Sequence, residues 1–323
     1  MSEPIGVILL NLGGPETLAD VEPFLLNLFS DRTIIRLSPF PFLQKFIAGR
    51  IAAKRAPKSR EAYRLIGGGS PLARITGEQG SALQDALAGH GTFVVRMGMR
   101  YWHPNAAAAL AEFAQAGIQR IVALTLYPHY SRATTGSSLD DLRKAAVVSG
   151  HTFEFAEIRE WPVQPDYVAC LAKSIQDGMA GFNKEPVQLV YSAHSLPVSF
   201  IREGDPYLDQ IKQTIAAVEK LTGISGELCF QSRSGPVEWL APSTPEMLQT
   251  LADQGCKNIL MVPISFVSDH VETLYEIDLL YKDQAQELGM RLVRSASLNT
   301  HPLFITGLAS LVLDACRHHH FLA

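Results

Sequence analysis

An α/β fold built as two doubly wound domains follows from three observations. Short β-branched runs recur along the chain, helical patterns separate them, and the runs number eight, enough for two sets of four. At 323 residues the chain can bury two hydrophobic cores of ordinary domain size.

Strands are expected at 6–12, 93–99, 121–127, 153–158, 187–193, 227–231, 259–266 and 292–296. Their near-continuous apolar character suits parallel sheets covered on both faces by helices. Helical patterns fall at 80–88, 105–116, 166–179, 206–221, 245–254 and 271–288. The segment Trp161-Pro162-Val163-Gln164-Pro165 is the expected crossover, because its prolines can neither continue a helix nor pair in a central strand. The domains are therefore expected at 1–160 and 161–323. A short internal echo points to duplication: Gly117-Ile118-Gln119-Arg120-Ile121 and Gly255-Cys256-Lys257-Asn258-Ile259 each lead a strand. In such sheets ligands bind beyond the carboxyl ends of strands, which singles out the residues after Leu12, Met99, Tyr127, Ala193 and Phe266.

Composition narrows the function. Hydrophobic residues make up 47% and charged residues 19%, as in a globular protein, and the net charge is −4. No Lys/Arg run can neutralise a row of phosphates, so nucleic acid is not an expected partner. The four cysteines, Cys170, Cys229, Cys256 and Cys316, form no C-x-x-C pair and read as reduced, cytosolic residues. The first residues show neither a charged leader nor a cleavage site, and no stretch approaches the roughly 20 apolar residues needed to span a bilayer. A cytoplasmic location is expected. Residues 34–51 intersperse Phe40, Phe42, Leu43, Phe46 and Ile47 with Arg36, Lys45 and Arg50. That pattern fits a peripheral contact with the inner membrane, or equally a helix packed on the core with its basic face solvated.

Neither glycine cluster is a nucleotide motif. Asn11-Leu12-Gly13-Gly14-Pro15 lacks G-x-G-x-x-G, and Gly67-Gly68-Gly69-Ser70-Pro71 lacks the Lys-Ser/Thr of a phosphate loop. The second cluster reads either as a helix cap running into a turn or as a close backbone approach that lets Ser70 touch a ligand. His194, in Ser192-Ala193-His194-Ser195-Leu196-Pro197, ends an apolar strand. By itself it fits a hydrogen-bonded core residue or a base working near neutrality. Asp269, Glu272 and Glu276 are spaced by three and four and would share one helix face, either as a solvated acidic terminus or as a row that function requires.

Taken together, several segments resemble the ferrochelatase family. They are Leu10 to Thr17 (LNLGGPET), Tyr63 to Pro71 (YRLIGGGSP), Arg100-Tyr101-Trp102-His103-Pro104, Tyr127-Pro128-His129-Tyr130-Ser131 with Thr134-Thr135-Gly136-Ser137-Ser138, SAHSLP around His194, and Ser268 to Asp278 (SDHVETLYEID). The resemblance spans nearly the whole chain. It implies a chelatase fold of two similar Rossmann-like domains with parallel four-stranded sheets and a porphyrin cleft between them. A final helix at about 303–317 would return to the first domain. The implied activity is that of a lyase-class metal chelatase inserting Fe2+ into protoporphyrin with release of two protons. His194 and Glu272 are implied as catalytic residues facing each other across the macrocycle. His194 would take the pyrrole protons, and Glu272 with Asp269, His270 and Glu276 would form an acidic path for protons or metal. Arg55, Tyr63 and Ser70 would hold the propionates, while Leu12, Arg100, Tyr101, Tyr130, Trp239 and Phe266 would line the cleft. Burial and like charge should raise the proton affinity of Glu272.

This residue set suits the reaction. Apolar and aromatic walls grip the ring, a base removes protons, and hard carboxylates hold Fe2+ loosely enough to release it, whereas thiolates would trap it. Iron is thus a substrate, and no cofactor is expected. Many relatives carry a [2Fe-2S] cluster through a cysteine-rich tail and a cysteine after the Tyr-Ser pair. Here that internal position is Arg132 and the tail offers only Cys316, so no cluster is expected. Leu280 occupies the turn after Glu276 where relatives often carry an acid, and His318-His319-His320 reads as a solvated tail. A chelatase for coproporphyrin or cobalt is the competing enzyme. A non-catalytic tetrapyrrole binder would need no internal base. The oligomeric state is not legible.

Overall fold

The computed structural model describes residues 3–322. Among them, eight strands form two four-stranded parallel sheets of identical order. The first contains β1 (Ile5–Asn11), β2 (Phe93–Met99), β3 (Arg120–Thr125) and β4 (Glu154–Ile158), arranged β2-β1-β3-β4. The second contains β5 (Gln188–His194), β6 (Gly226–Gln231), β7 (Asn258–Pro263) and β8 (Arg291–Arg294), arranged β6-β5-β7-β8. The eight expected strands are all present, with ends shifted by a few residues. β7 stops at Pro263, which has no N–H to offer the ladder. The Gly117 and Gly255 echoes lead into β3 and β7, the third strand of each sheet.

The chain divides into two units, one comprising residues up to Glu160 together with those from Ile305 onward, the other running from Trp161 to Phe304. In the first unit the helices are α1 (Val21–Ser30), α2 (Pro41–Leu65), α3 (Leu72–Leu87), α4 (Ala106–Gln115) and α5 (Ser137–Ser149). In the second they are α6 (Pro165–Ala180), α7 (Val198–Arg202), α8 (Tyr207–Thr222), α9 (Thr244–Asp253) and the short α10 (Lys282–Glu287). α11 (Pro302–His318) starts at the end of the second unit and belongs from Ile305 to the first.

Three differences from the sequence reading have physical reasons. α3 begins eight residues earlier than its expected start because Leu72, Ile75, Leu83 and Leu87 are buried along one face, which carries the helix through Gly80, a poor helix former. α1, α5 and α7 carry no long apolar periodicity and are held by tertiary packing through Val21, Phe24, Leu25, Leu139, Leu142 and Phe200. The expected helix at 271–288 is an α-helix only in its last turns. Glu272–Tyr281 winds as a π-helix with i→i+5 bonding, a form common at functional sites that residue spacing does not reveal.

The core of each unit lies around its sheet. Ile8, Leu10, Phe113, Ile121 and Leu142 are fully buried in the first, and Val190, Leu248, Ile259, Met261 and Ile277 in the second. In either sheet the chain leaves the starting strand in opposite directions, so the switch points lie beyond the carboxyl ends of β1/β3 and β5/β7.

Candidate active site

At the β5/β7 switch point, His194 is the last residue of β5. Its backbone is held at both ends: the N–H donates to Ser265 Oγ at 3.0 Å, and the carbonyl accepts from the Tyr207 hydroxyl at 3.0 Å. The ring, 38% exposed, places Nδ1 2.8 Å from Glu272 Oε2 at the start of the π-helix. His194 and Glu272 are therefore hydrogen-bonded partners, which corrects the expectation that they face each other across a macrocycle. With Nδ1–H donating to the carboxylate, Nε2 keeps its lone pair as a proton acceptor.

Glu272 Oε2 also accepts from Ser232 Oγ at 2.7 Å, and the same Oγ lies 2.7 Å from Glu276 Oε2. A hydroxyl has one proton to give. Two such short contacts therefore require the second oxygen to donate in return, so one of the carboxyls is protonated. Electrostatics identifies it. Burial and then the charge of Glu272 push Glu276 up to about 7, so of the two it is the carboxyl that holds a proton, releasing it as the pH passes neutrality. Burial would also raise Glu272, but the charge and hydrogen bond of His194, with His270 and Ser232 adding to them, outweigh it and hold Glu272 below the usual carboxylate range. Burial disfavours the charged form of His194, and the charge and hydrogen bond of Glu272 overcome that and raise its pKa. The raised proton affinity expected of Glu272 thus belongs to Glu276.

The rest of the acidic row separates. Asp269 turns away to accept from Asn299 Nδ2 (2.9 Å), Ser297 Oγ (2.7 Å), Thr273 Oγ1 (3.2 Å) and Arg294 Nη1 (3.0 Å). His270 donates its backbone N–H to Thr273 Oγ1 at 3.0 Å, has Nδ1 3.0 Å from the Ser268 carbonyl oxygen, and packs edge-on against Phe266 with ring centroids 4.5 Å apart. Among the described residues no group of three or more His, Cys, Asp or Glu side chains is arranged to hold a metal ion. The five residues expected to meet metal are therefore not a preformed cage, because Asp269 is committed to Arg294 and Glu272 to His194.

Sequence reading missed Ser232 and Gln231. Gln231 Nε2 donates to the Glu272 carbonyl at 2.8 Å and to Glu276 Oε2 at 3.1 Å, and its Oε1 accepts from Ser192 Oγ at 2.7 Å. Ser232 sits at φ +65°, a left-handed conformation that costs a non-glycine residue about 1–2 kcal/mol. The signal was available, since both residues stand at the carboxyl end of β6. Trp239 is half-buried, its Nε1 donating to the Gly235 carbonyl at 3.3 Å.

In the first unit, Arg100 and Tyr101 follow β2 and turn onto Asp31. Asp31 Oδ2 accepts from Arg100 Nη2 (2.8 Å), the Tyr101 hydroxyl (2.7 Å) and Ser137 Oγ (2.6 Å). Burial opposes ionisation of Asp31, and these bonds, led by Ser137, override it and lower its pKa. Tyr101 is 3% exposed, so it packs inward rather than presenting its ring as a wall. Leu12 and Tyr130 are half-buried, and Arg159 stacks over the Tyr130 ring at 5.2 Å. Arg55 is exposed with its guanidinium over Phe29, Tyr63 is buried, and Ser70 is half-buried, capping the Leu72 N–H at 3.3 Å.

A family model described as Ferrochelatase matches residues 4–316. This chain belongs to the ferrochelatase family. It is 58% identical over 312 residues to a ferrochelatase of Desulfotalea psychrophila, covering 97% of each chain. It is 53% identical over 315 residues to one of Geotalea uraniireducens, covering 97% of this chain and 98% of that one. Among solved structures it resembles SirB from Bacillus subtilis with Fe3+, with a TM-score of 0.56 at 10% identity over 100% of this chain and 99% of the other. SirB from Bacillus subtilis subspecies spizizenii in complex with cobalt, a sirohydrochlorin chelatase, gives a TM-score of 0.54 at 9% identity over 98% and 96%. Those two likenesses show a common chelatase fold, and the ferrochelatase assignment rests on the sequence matches.

Proposed function

We propose that the chain inserts Fe2+ into protoporphyrin, and that His194 is the base that removes the pyrrole protons. One observation carries the reading: an unbroken line of hydrogen bonds runs from His194 Nδ1 through Glu272 and Ser232 to Glu276. Each turnover releases two protons. A proton taken on Nε2 makes an imidazolium that Glu272 stabilises at 2.8 Å, and onward passage along the line follows once Glu276 has released its own proton and stands as a carboxylate able to accept. Iron reaching this pair meets an imidazole and carboxylates, donors that let a substrate metal go.

In the first unit the proposed porphyrin contacts are Arg55 and Ser70 to the propionates, with Tyr63 alongside, and Leu12, Arg100 and Tyr130 on the ring, while the buried Tyr101 carries the Arg100 guanidinium over its own ring at 4.6 Å. In the second they are Trp239 and Phe266. No cofactor is proposed. All four cysteines are free, and burial pushes Cys170, Cys229 and Cys316 each up to about 11, away from the thiolate a cluster would need. A cytoplasmic location with peripheral membrane contact is proposed through Phe40, Phe42 and Phe46, which are 57%, 77% and 63% exposed. Arg50 stands over the Phe46 ring, and no helix among the described residues is long and apolar enough to cross a membrane.

The decisive experiment is insertion of Fe2+ or Zn2+ by wild type and His194→Ala with protoporphyrin and coproporphyrin. His194→Ala is expected to fold and to lose roughly two to four orders of magnitude in rate. Near-normal activity in its folded fraction would remove His194 from the chemistry, and a preference for coproporphyrin would change the substrate.

A further inference from the structure

The π-helix that carries Glu272 and Glu276 is preceded by one further acid, Asp269 three residues before Glu272, and contains another, Asp278 two residues after Glu276. One side chain reaches both. Arg294, the last residue of β8, makes a two-pronged contact with Asp278, Nε to Oδ1 at 2.9 Å and Nη2 to Oδ2 at 2.8 Å. Its Nη1 lies 3.0 Å from Asp269 Oδ1. The guanidinium is 11% exposed, and Nη1 donates to Ser297 Oγ at 2.8 Å as well. Ser297 and Asn299, on the loop after β8, close around the Asp269 carboxylate, and Asn299 Oδ1 also accepts the Asp269 N–H at 2.9 Å. Neither acid points at His194.

We propose that Arg294 is a positioning residue for metal insertion, tying the residue that leads into the π-helix to one in its second half so that Glu272 and Glu276 stay on Ser232 and Glu272 stays on His194. A π-helix is an uncommon conformation, so something outside it must favour it over the α-helical register. Arginine suits the task because its rigid fork can hold one carboxylate at two points while a third N–H holds another; a lysine ammonium cannot. The clamp rests on the reading of His194, Glu272 and Glu276 as the insertion site.

The test compares Arg294→Met, Arg294→Lys, Asp278→Asn and Glu272→Gln in Zn2+ insertion, with hydrogen exchange at the amides of residues 270–281. Arg294→Met is expected to lower kcat at least tenfold while the KM for porphyrin stays within twofold. Exchange at 270–281 should quicken selectively relative to β5. Arg294→Lys should recover part of the loss, and Asp278→Asn should lower kcat at least threefold. Wild-type kcat in folded Arg294→Met overturns the clamp, as does a uniform rise in exchange with unchanged specific activity. If Arg294→Met does not fold, wild-type kcat in Asp278→Asn overturns it instead. Loss of activity in Glu272→Gln beside wild-type rates in the clamp variants sinks the clamp alone, whereas wild-type activity in Glu272→Gln sinks the site reading beneath it.

Discussion

Ser232 joins a carboxylate, Glu272, to a carboxyl that keeps its proton, Glu276, and the balance of charge around it is the property of this site that residue spacing hides most completely. The sequence spacing of Glu272 and Glu276 shows like charges, which raise a carboxyl's proton affinity. It cannot show that His194, 78 positions away, comes within 2.8 Å of Glu272 and transfers that burden to Glu276. The consequence for stability has a definite sign. A folded value of about 7 against an ordinary 4.5 means that the folded chain binds more protons than the unfolded one between those pH values, so this group's contribution falls as pH rises through that window. Glu276→Gln should therefore be more stable than wild type at pH 8, by on the order of 2 kcal/mol, with the gap closing near pH 4.5. Thermal melts across pH would check it, and an identical pH dependence in both proteins would refute the raised affinity. Ser232→Ala, which cuts the line, should slow insertion about 10- to 100-fold with little change in porphyrin affinity, as steady-state kinetics would show.

At the scale of elements, the strands were legible because burial on both faces writes them as apolar runs, and the helices less so. α1 and α7 are short and stand on packing that only the folded chain supplies. In the Gly67–Gly69 cluster the helix cap is present, and the close backbone approach is made to the chain itself. α2 ends at Leu65, and Gly68 donates to the Tyr63 carbonyl at 2.8 Å with φ +95°, which is a helix cap. Gly69 makes a close approach, but to this chain's own backbone: a Cβ there would lie 2.0 Å from the Glu16 carbonyl oxygen, beside the bond from the Ser70 N–H to the Pro15 carbonyl at 2.7 Å. The two glycine motifs lock together. Gly69→Ala should cost about 1–3 kcal/mol or more, read as a lowered Tm. The exposed phenylalanines at the start of α2 make a separate prediction. Wild type should co-sediment weakly with anionic vesicles at low salt, and Phe42→Asp with Phe46→Asp should abolish this while insertion into detergent-solubilised porphyrin survives. Absence of binding by wild type, or unfolding of the double mutant, would make this face structural.

At the scale of the molecule, the repeated strand order gives the five-residue echo its meaning, because both copies lead the third strand of their sheets. Purified anaerobically, the protein should be colourless, and stoichiometric iron with acid-labile sulfide would overturn the proposal that it carries no cluster. The first unit is also discontinuous in sequence. Its β1 is built from residues near the start, yet Ile305, Leu308, Val312 and Cys316 of α11 are buried parts of the same unit. On a ribosome adding about 5–20 residues per second, those side chains arrive roughly 10–30 s after the first sheet has emerged. The usual order of synthesis is thereby inverted: the second unit is fully translated first, while the earlier one waits with part of its apolar surface uncovered. It is in that interval that a nascent chain would depend on holding chaperones.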